Sequence, residues 1–154
     1  MAHLPVDHHL RPLYRALAGL SGAFSLGLGV IGFSRTSGLP FFEQSDLPTV
    51  FGVTMNPGFA VTSIVLGAVV LVATVVGRNL DRSVNLGVGS IFLVIGTGML
   101  AFMRTDANIL GFTMTNVIVT YIVGMVLLTA GLYGKVTPAG TRHSEPVRER
   151  VTAE

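Results

Sequence analysis

Four apolar runs, residues 13–33, 58–76, 84–102 and 117–133, constrain this chain more than any other feature of it. Apart from Arg15 near the start of the first, none contains a formally charged side chain. A helix rising 1.5 Å per residue crosses about 30 Å of hydrocarbon with roughly 20 apolar residues, which is the scale of each run. Arg15 sits where a long side chain can snorkel to a membrane surface. A cleaved signal peptide competes for the first run, but that run is too long for an h-region and no clean Ala-x-Ala site follows it. A retained span is therefore expected. Only 12% of the chain is charged, against roughly a quarter in a soluble domain, and mean hydropathy is +0.68. The composition fits an integral membrane protein and leaves little polar surface to face water.

The halves of the chain echo each other. Ser21, Gly27, Gly29, Phe33, Arg35 and Thr36 recur, at one constant spacing, as Ser90, Gly96, Gly98, Phe102, Arg104 and Thr105. Gly52, Thr54 and Met55 return as Gly111, Thr113 and Met114, and Gly67, Leu71, Ala73, Gly77 and Arg78 as Gly124, Leu128, Ala130, Gly134 and Lys135. The expected fold is all-α and membrane-integral, with four transmembrane helices from two tandem parallel helical-hairpin repeats. Small residues form two tracks on the first span, Gly19, Ala23 and Gly27 on one, Ser21, Ser25 and Gly29 on the other. Such tracks let helices approach closely in lipid. Gly19, Ala23, Gly27, Gly29, Gly67, Gly96, Gly98 and Gly124 are accordingly the expected helix-packing positions.

Between the spans lie polar connections. Residues 34–56 carry Arg35, Glu43, Asp46 and the apolar pair Phe41–Phe42, and close on Asn56–Pro57, an N-cap followed by proline at the first helical position. Residues 77–83 read as a tight link and 103–115 as a second polar connection, with Asn116 placed to cap the fourth span. Of the ten basic residues, Arg11, Arg15, Arg78, Arg82, Lys135, Arg142, Arg148 and Arg150 fall on one side and only Arg35 and Arg104 on the other. The positive-inside rule then places both termini in the cytoplasm of a multi-pass plasma-membrane protein, and makes the two repeats parallel. Residues 1–12 and 136–154 are expected to be polar cytoplasmic tails, the latter disordered.

Most chemistries find no purchase here. There is no cysteine, which removes disulfides, thiolate metal sites and cysteine nucleophiles. His3, His8, His9 and His143 all lie in the tails, so no span offers an axial haem ligand. The clustered imidazoles of the N-terminal tail have the chemistry to share a metal, but without fixed geometry they read first as a solvated segment. The spans lack the interior carboxylate or cation common in ion pumps, and no phosphate-binding or metalloprotease motif is present. The pI near 9.5 reflects topology, not affinity for nucleic acid. No enzyme activity, cofactor or metal is expected. Arg35 and Arg104 are the candidate pair on the outer face, either as an anion or headgroup site or as helix-end anchors.

The Gly29-Val-Ile-Gly32-Phe33 end of the first span, the Asn56–Pro57 start of the second, and Gly124, Leu127, Leu128 and Gly131 in the last together resemble an actinobacterial family of four-helix membrane proteins, domain of unknown function 4383. The resemblance spans roughly residues 10 to 135 and implies the four-helix architecture without an activity. The histidine it would place near the second and fourth spans is absent. The reading that follows is a non-catalytic membrane protein working through helix contacts, with the lipid bilayer and other membrane subunits or itself as partners. It would act as an accessory or scaffold subunit of a cell-envelope complex. The alternative is an oligomeric pore or carrier for a small neutral solute, with Thr74, Thr97 and Tyr121 near a polar cavity.

Overall fold

The computed structural model describes residues 9–135. Residues 1–8 and 136–154, with His3, His8 and His143, lie outside them; of the polar tail expected over residues 1–12, Arg11 and Pro12 instead begin the first helix. The chain forms α1 (Arg11–Thr36), β1 (Thr49–Val50), β2 (Val53–Thr54), α2 (Pro57–Val76), α3 (Leu80–Phe102) and α4 (Met114–Tyr133). All four helices are long and apolar enough to cross a membrane. They form an antiparallel ring in which α1 packs closely on α2 and α3 on α4, with thinner seams between α1 and α4 and between α2 and α3.

Each helix outruns its apolar stretch. α1 ends only where Ser37 leaves helical geometry and Gly38 takes φ +99°. α3 starts at Leu80, so only three residues join it to α2 and Asp81 falls in its first turn. Hydropathy marks the part of a helix that suits hydrocarbon, and polar residues at its ends are still helical. α2 begins on Asn56, whose Oδ1 accepts from Phe59 N at 2.8 Å, with Pro57 at N1. It stops at Gly77, which turns with φ +68° and returns its N–H to Ala73 O.

Close approach is confined to particular glycines. A Cβ on Gly67 would stand 2.5 Å from Leu26 N and 2.8 Å from Gly22 O, and one on Gly22 would stand 3.2 Å from Gly67 O. The α3/α4 pair does the same: a Cβ on Gly89 would lie 2.9 Å from Gly124 O, and one on Gly124 would lie 3.1 Å from Gly89 O. A Cβ on Gly29 would stand 2.7 Å from Ala60 O and one on Gly19 3.3 Å from the Thr74 methyl, whereas one on Gly96 would have ordinary room, 3.4 Å to Thr120. The expectation for Gly27 and Gly98 is corrected, because a side chain there would meet nothing within 4 Å. Ala23 is exposed as well. Matching the halves by residue identity paired Gly27 with Gly96 and Gly29 with Gly98. Burial instead pairs Ala18 with Asn85, Gly22 with Gly89, Ser25 with Phe92 and Gly29 with Gly96. The two registers differ by two residues, a rotation of roughly 200° that turns a packed face outward.

Two apolar clusters fill the ring. One holds Ala18, Val70, Val88, Phe92, Leu127 and Ala130. The other joins Leu28 and Phe59 to Val50, Val53, Met55 and Phe112 of the connections, with the rings of Phe59 and Phe112 edge to face at 4.7 Å. The second cluster exists because β1 and β2 fold as a small antiparallel hairpin, Thr49 opposite Thr54 and Val50 opposite Val53.

Candidate functional site

Four places in the fold gather polar or concave features: the capped end, the basic end, an exposed pair on α3 and α4, and the outer seams. At the capped end the two connections are braced by buried amides. Asn56 Nδ2 donates to Glu43 O and Ile109 O, each at 2.9 Å. Asn116 Oδ1 accepts from Thr54 N at 3.0 Å, and its Nδ2 donates to Thr54 O at 2.6 Å. Asn116 therefore does not cap α4 as expected: it lies inside the first turn, and the N-cap is Thr113, which donates its hydroxyl to Asn116 Oδ1. A side-chain amide placed this way copies a strand partner, satisfying backbone groups that a buried edge must pair. Gln44 Nε2 adds a third tie, to Asp106 O at 3.0 Å.

Arg35 and Arg104 do not form an equivalent pair. Arg35 belongs to the last turn of α1 and donates to Thr49 O at 3.3 Å, tying the hairpin to the helix end. Arg104 lies beyond the end of α3, in an exposed turn. Nearby, the Glu43 carboxylate is set locally: the Ser45 hydroxyl first, then the Ser45 and Gln44 N–H groups, donate to its Oε1 and hold its pKa below the ordinary 4.5. Phe41 and Phe42 are half exposed, and Gly58 fits beneath them, its Cβ position 3.1 Å from Phe41 O and 3.2 Å from the Phe42 ring. Phe51, at the hairpin tip, is 79% exposed and held at φ +52°.

The opposite end is basic. Arg15 Nε donates to Thr74 O at 2.8 Å and its Nη2 to Val75 O at 3.1 Å, satisfying the last carbonyls of α2. Arg11 Nη2 meets Asp81 Oδ2 at 3.5 Å and Arg78 O at 3.3 Å. These two arginines thus serve helix ends. Asn85, one turn along α3 from Asp81, is buried, and its Oδ1 has no hydrogen-bond partner among the described residues, nor have Arg11 Nε and Arg82 Nε. Tyr14 and Tyr133 stack at 5.2 Å between α1 and α4.

Near the basic end of α2, Thr74 Oγ1 bonds Val70 O at 2.8 Å. Thr97 Oγ1 bonds Leu93 O and the Tyr121 hydroxyl, both at 2.8 Å, on an exposed face. Thr97 borders an open concavity with Leu93, Val94 and Gly98, and the other cavities described here are apolar and follow the α1/α4 and α2/α3 seams. Among the described residues no three of His, Cys, Asp and Glu converge as metal ligands.

Sequence reasoning missed the hairpin, whose strands have two residues each, and the bracing role of Asn116. The signals available were Gly52 between the β-branched Val50 and Val53, and an asparagine close to the start of both α2 and α4. The family model described as Domain of unknown function (DUF4383) matches residues 15–133. No curated protein and no solved structure matches the chain.

Proposed function

The chain belongs to the DUF4383 family, and on that premise we propose that it is a four-span membrane protein that works through helix contacts. It acts as a non-catalytic accessory or scaffold subunit of a larger envelope assembly. The observation that carries this reading is the outward face of the ring. Leu20, Val75, Val94 and Ile122, one from each helix, are 67%, 80%, 72% and 59% exposed. Side chains of this kind around a whole bundle suit hydrocarbon on every side. The matching burial of α1 with α3, and of Ala60, Ser63, Gly67 and Val70 in α2 with Val117, Thr120, Gly124 and Leu127 in α4, supports two tandem hairpins. Their parallel insertion would follow from the basic end lying in the cytoplasm.

Contact rather than transport is favoured by the braced end, where Asn56 and Asn116 knit both connections over the ring. A second reading, a solute path formed by oligomerisation, has the Thr97–Tyr121 pair in its favour, because two hydroxyls on an outer face suit a neighbouring protomer better than lipid. Purification from the source membrane in a mild detergent, with mass spectrometry of co-eluting species, separates the two. A stoichiometric partner protein supports the subunit reading. A self-assembled species alone refutes it and directs the work to solute flux in liposomes.

A further inference from the structure

The seam between α1 and α4 differs from the other three. Glycine contacts close the α1/α2 and α3/α4 interfaces, and the three-residue link after Val76 ties the basic end of α2 to α3. At that end nothing covalent joins α1 to α4. Leu17, Leu20 and Phe24 face Val119, Ile122 and Val126 across an open cavity of about 380 Å³. A second cavity of about 190 Å³ continues it toward the basic end and shares Leu17 and Val126, with Tyr14 and Thr129 on its wall. From Tyr14 to Phe24 the groove runs roughly 15 Å along the helix axis. It is narrow, apolar and parallel to the helices.

The end at which it opens has a strong charge bias. Arg11, Arg15, Arg78, Arg82 and Lys135 face a single carboxylate, Asp81, among the described residues there. Arg11 and Arg82 keep buried Nε donors without a partner. Arg82 stands beside the end of α4, its Cβ 3.7 Å from where a Gly134 side chain would begin, and Lys135 follows exposed. We propose that this seam holds one acyl chain of an anionic phospholipid, with its phosphate on the basic end near Arg82 and Lys135. An apolar groove fixes the chain and the charge excess selects the headgroup. The lipid would act as a wedge setting the separation of the two hairpins. This inference rests on the membrane reading above.

The test is native mass spectrometry of the full chain in mild detergent with added phosphatidylglycerol or phosphatidylcholine. One phosphatidylglycerol per chain is expected, in preference to phosphatidylcholine. Val126→Trp, which fills both cavities, should abolish that adduct, and Lys135→Gln should weaken it roughly fivefold. Leu20→Trp serves if Val126→Trp does not fold, as judged by its circular dichroism. Equal retention of the two lipids, or an adduct indifferent to the groove-filling variant, overturns the proposal. Alkaline extraction of native membranes separates the two layers of inference. A chain released by carbonate refutes the membrane reading, whereas a retained chain without the adduct refutes only the lipid in the seam.

Discussion

Gly67 is where one added methyl group should do most damage. Its Cβ would stand 2.5 Å from Leu26 N, and an ordinary contact begins near 3.4 Å, so the α1 backbone would have to retreat by about 0.9 Å. Backbone atoms of a packed helix cannot rotate away as a side-chain tip can. A gap of that size along the interface forfeits a quarter to a half of the dispersion energy of the neighbouring contacts. Overpacking of this kind costs about 1–3 kcal/mol, offset by about 1 kcal/mol from the better helix propensity of alanine. Gly27→Ala is the control: it gains the same propensity but meets no atom within 4 Å. The difference between Gly67→Ala and Gly27→Ala cancels the propensity and isolates the clash, at about 1–3 kcal/mol. Because the chain has no tryptophan, unfolding in mild detergent is best followed by circular dichroism at a helical wavelength. Equal stability of the two variants would refute the packing described at Gly67.

Three further outcomes follow from the capped end. Asn116→Ala removes both bonds to Thr54 and leaves buried backbone groups unpaired, at about 1–3 kcal/mol each; faster hydrogen exchange at Thr54 N–H checks it. Glu43 has a depressed folded-state pKa, so its contribution is present above the unfolded value and is lost as pH falls through the folded one. A carboxyl titration by NMR should place it below 4.5, and Ser45→Ala should move it upward by removing the largest cause. Phe51 holds a left-handed conformation that a bulky side chain disfavours by about 1 kcal/mol. Phe51→Gly should therefore raise stability, and a lower midpoint in the same denaturant series would show that the ring has a packing role.

The helices were legible because long uncharged runs have few alternatives, and the spacing read between α2 and α4 coincides with their buried positions. Ala60, Gly67 and Val70 are buried, as are Val117, Gly124 and Leu127. The spacing read between α1 and α3 does not. Gly27 and Gly98 are small, but smallness alone does not say which face a residue occupies, and identity of residues is a poor guide when a shift of two residues turns a face by more than half a turn. Burial matches Ala18 with Asn85 and Ser25 with Phe92, residues with nothing chemical in common. The arginines were ambiguous for a related reason. Arg15 reads as a snorkelling side chain in the sequence, yet its guanidinium lies on the carbonyls of Thr74 and Val75, some sixty positions away in the chain.

The two asparagine braces also govern the order in which this molecule can be completed. Asn56 needs Ile109 O, and Thr54 needs the amide of Asn116. Neither helix pair can therefore complete the capped end alone, however well its glycines pack. A chain holding only α1 and α2 would keep its glycine contacts but lack the partners of Asn56 Nδ2 at Ile109 and of Thr54 at Asn116. Contacts so distant in sequence form slowly. Completion of the capped end thus depends on two amides from opposite halves of the chain, far from the glycine interfaces.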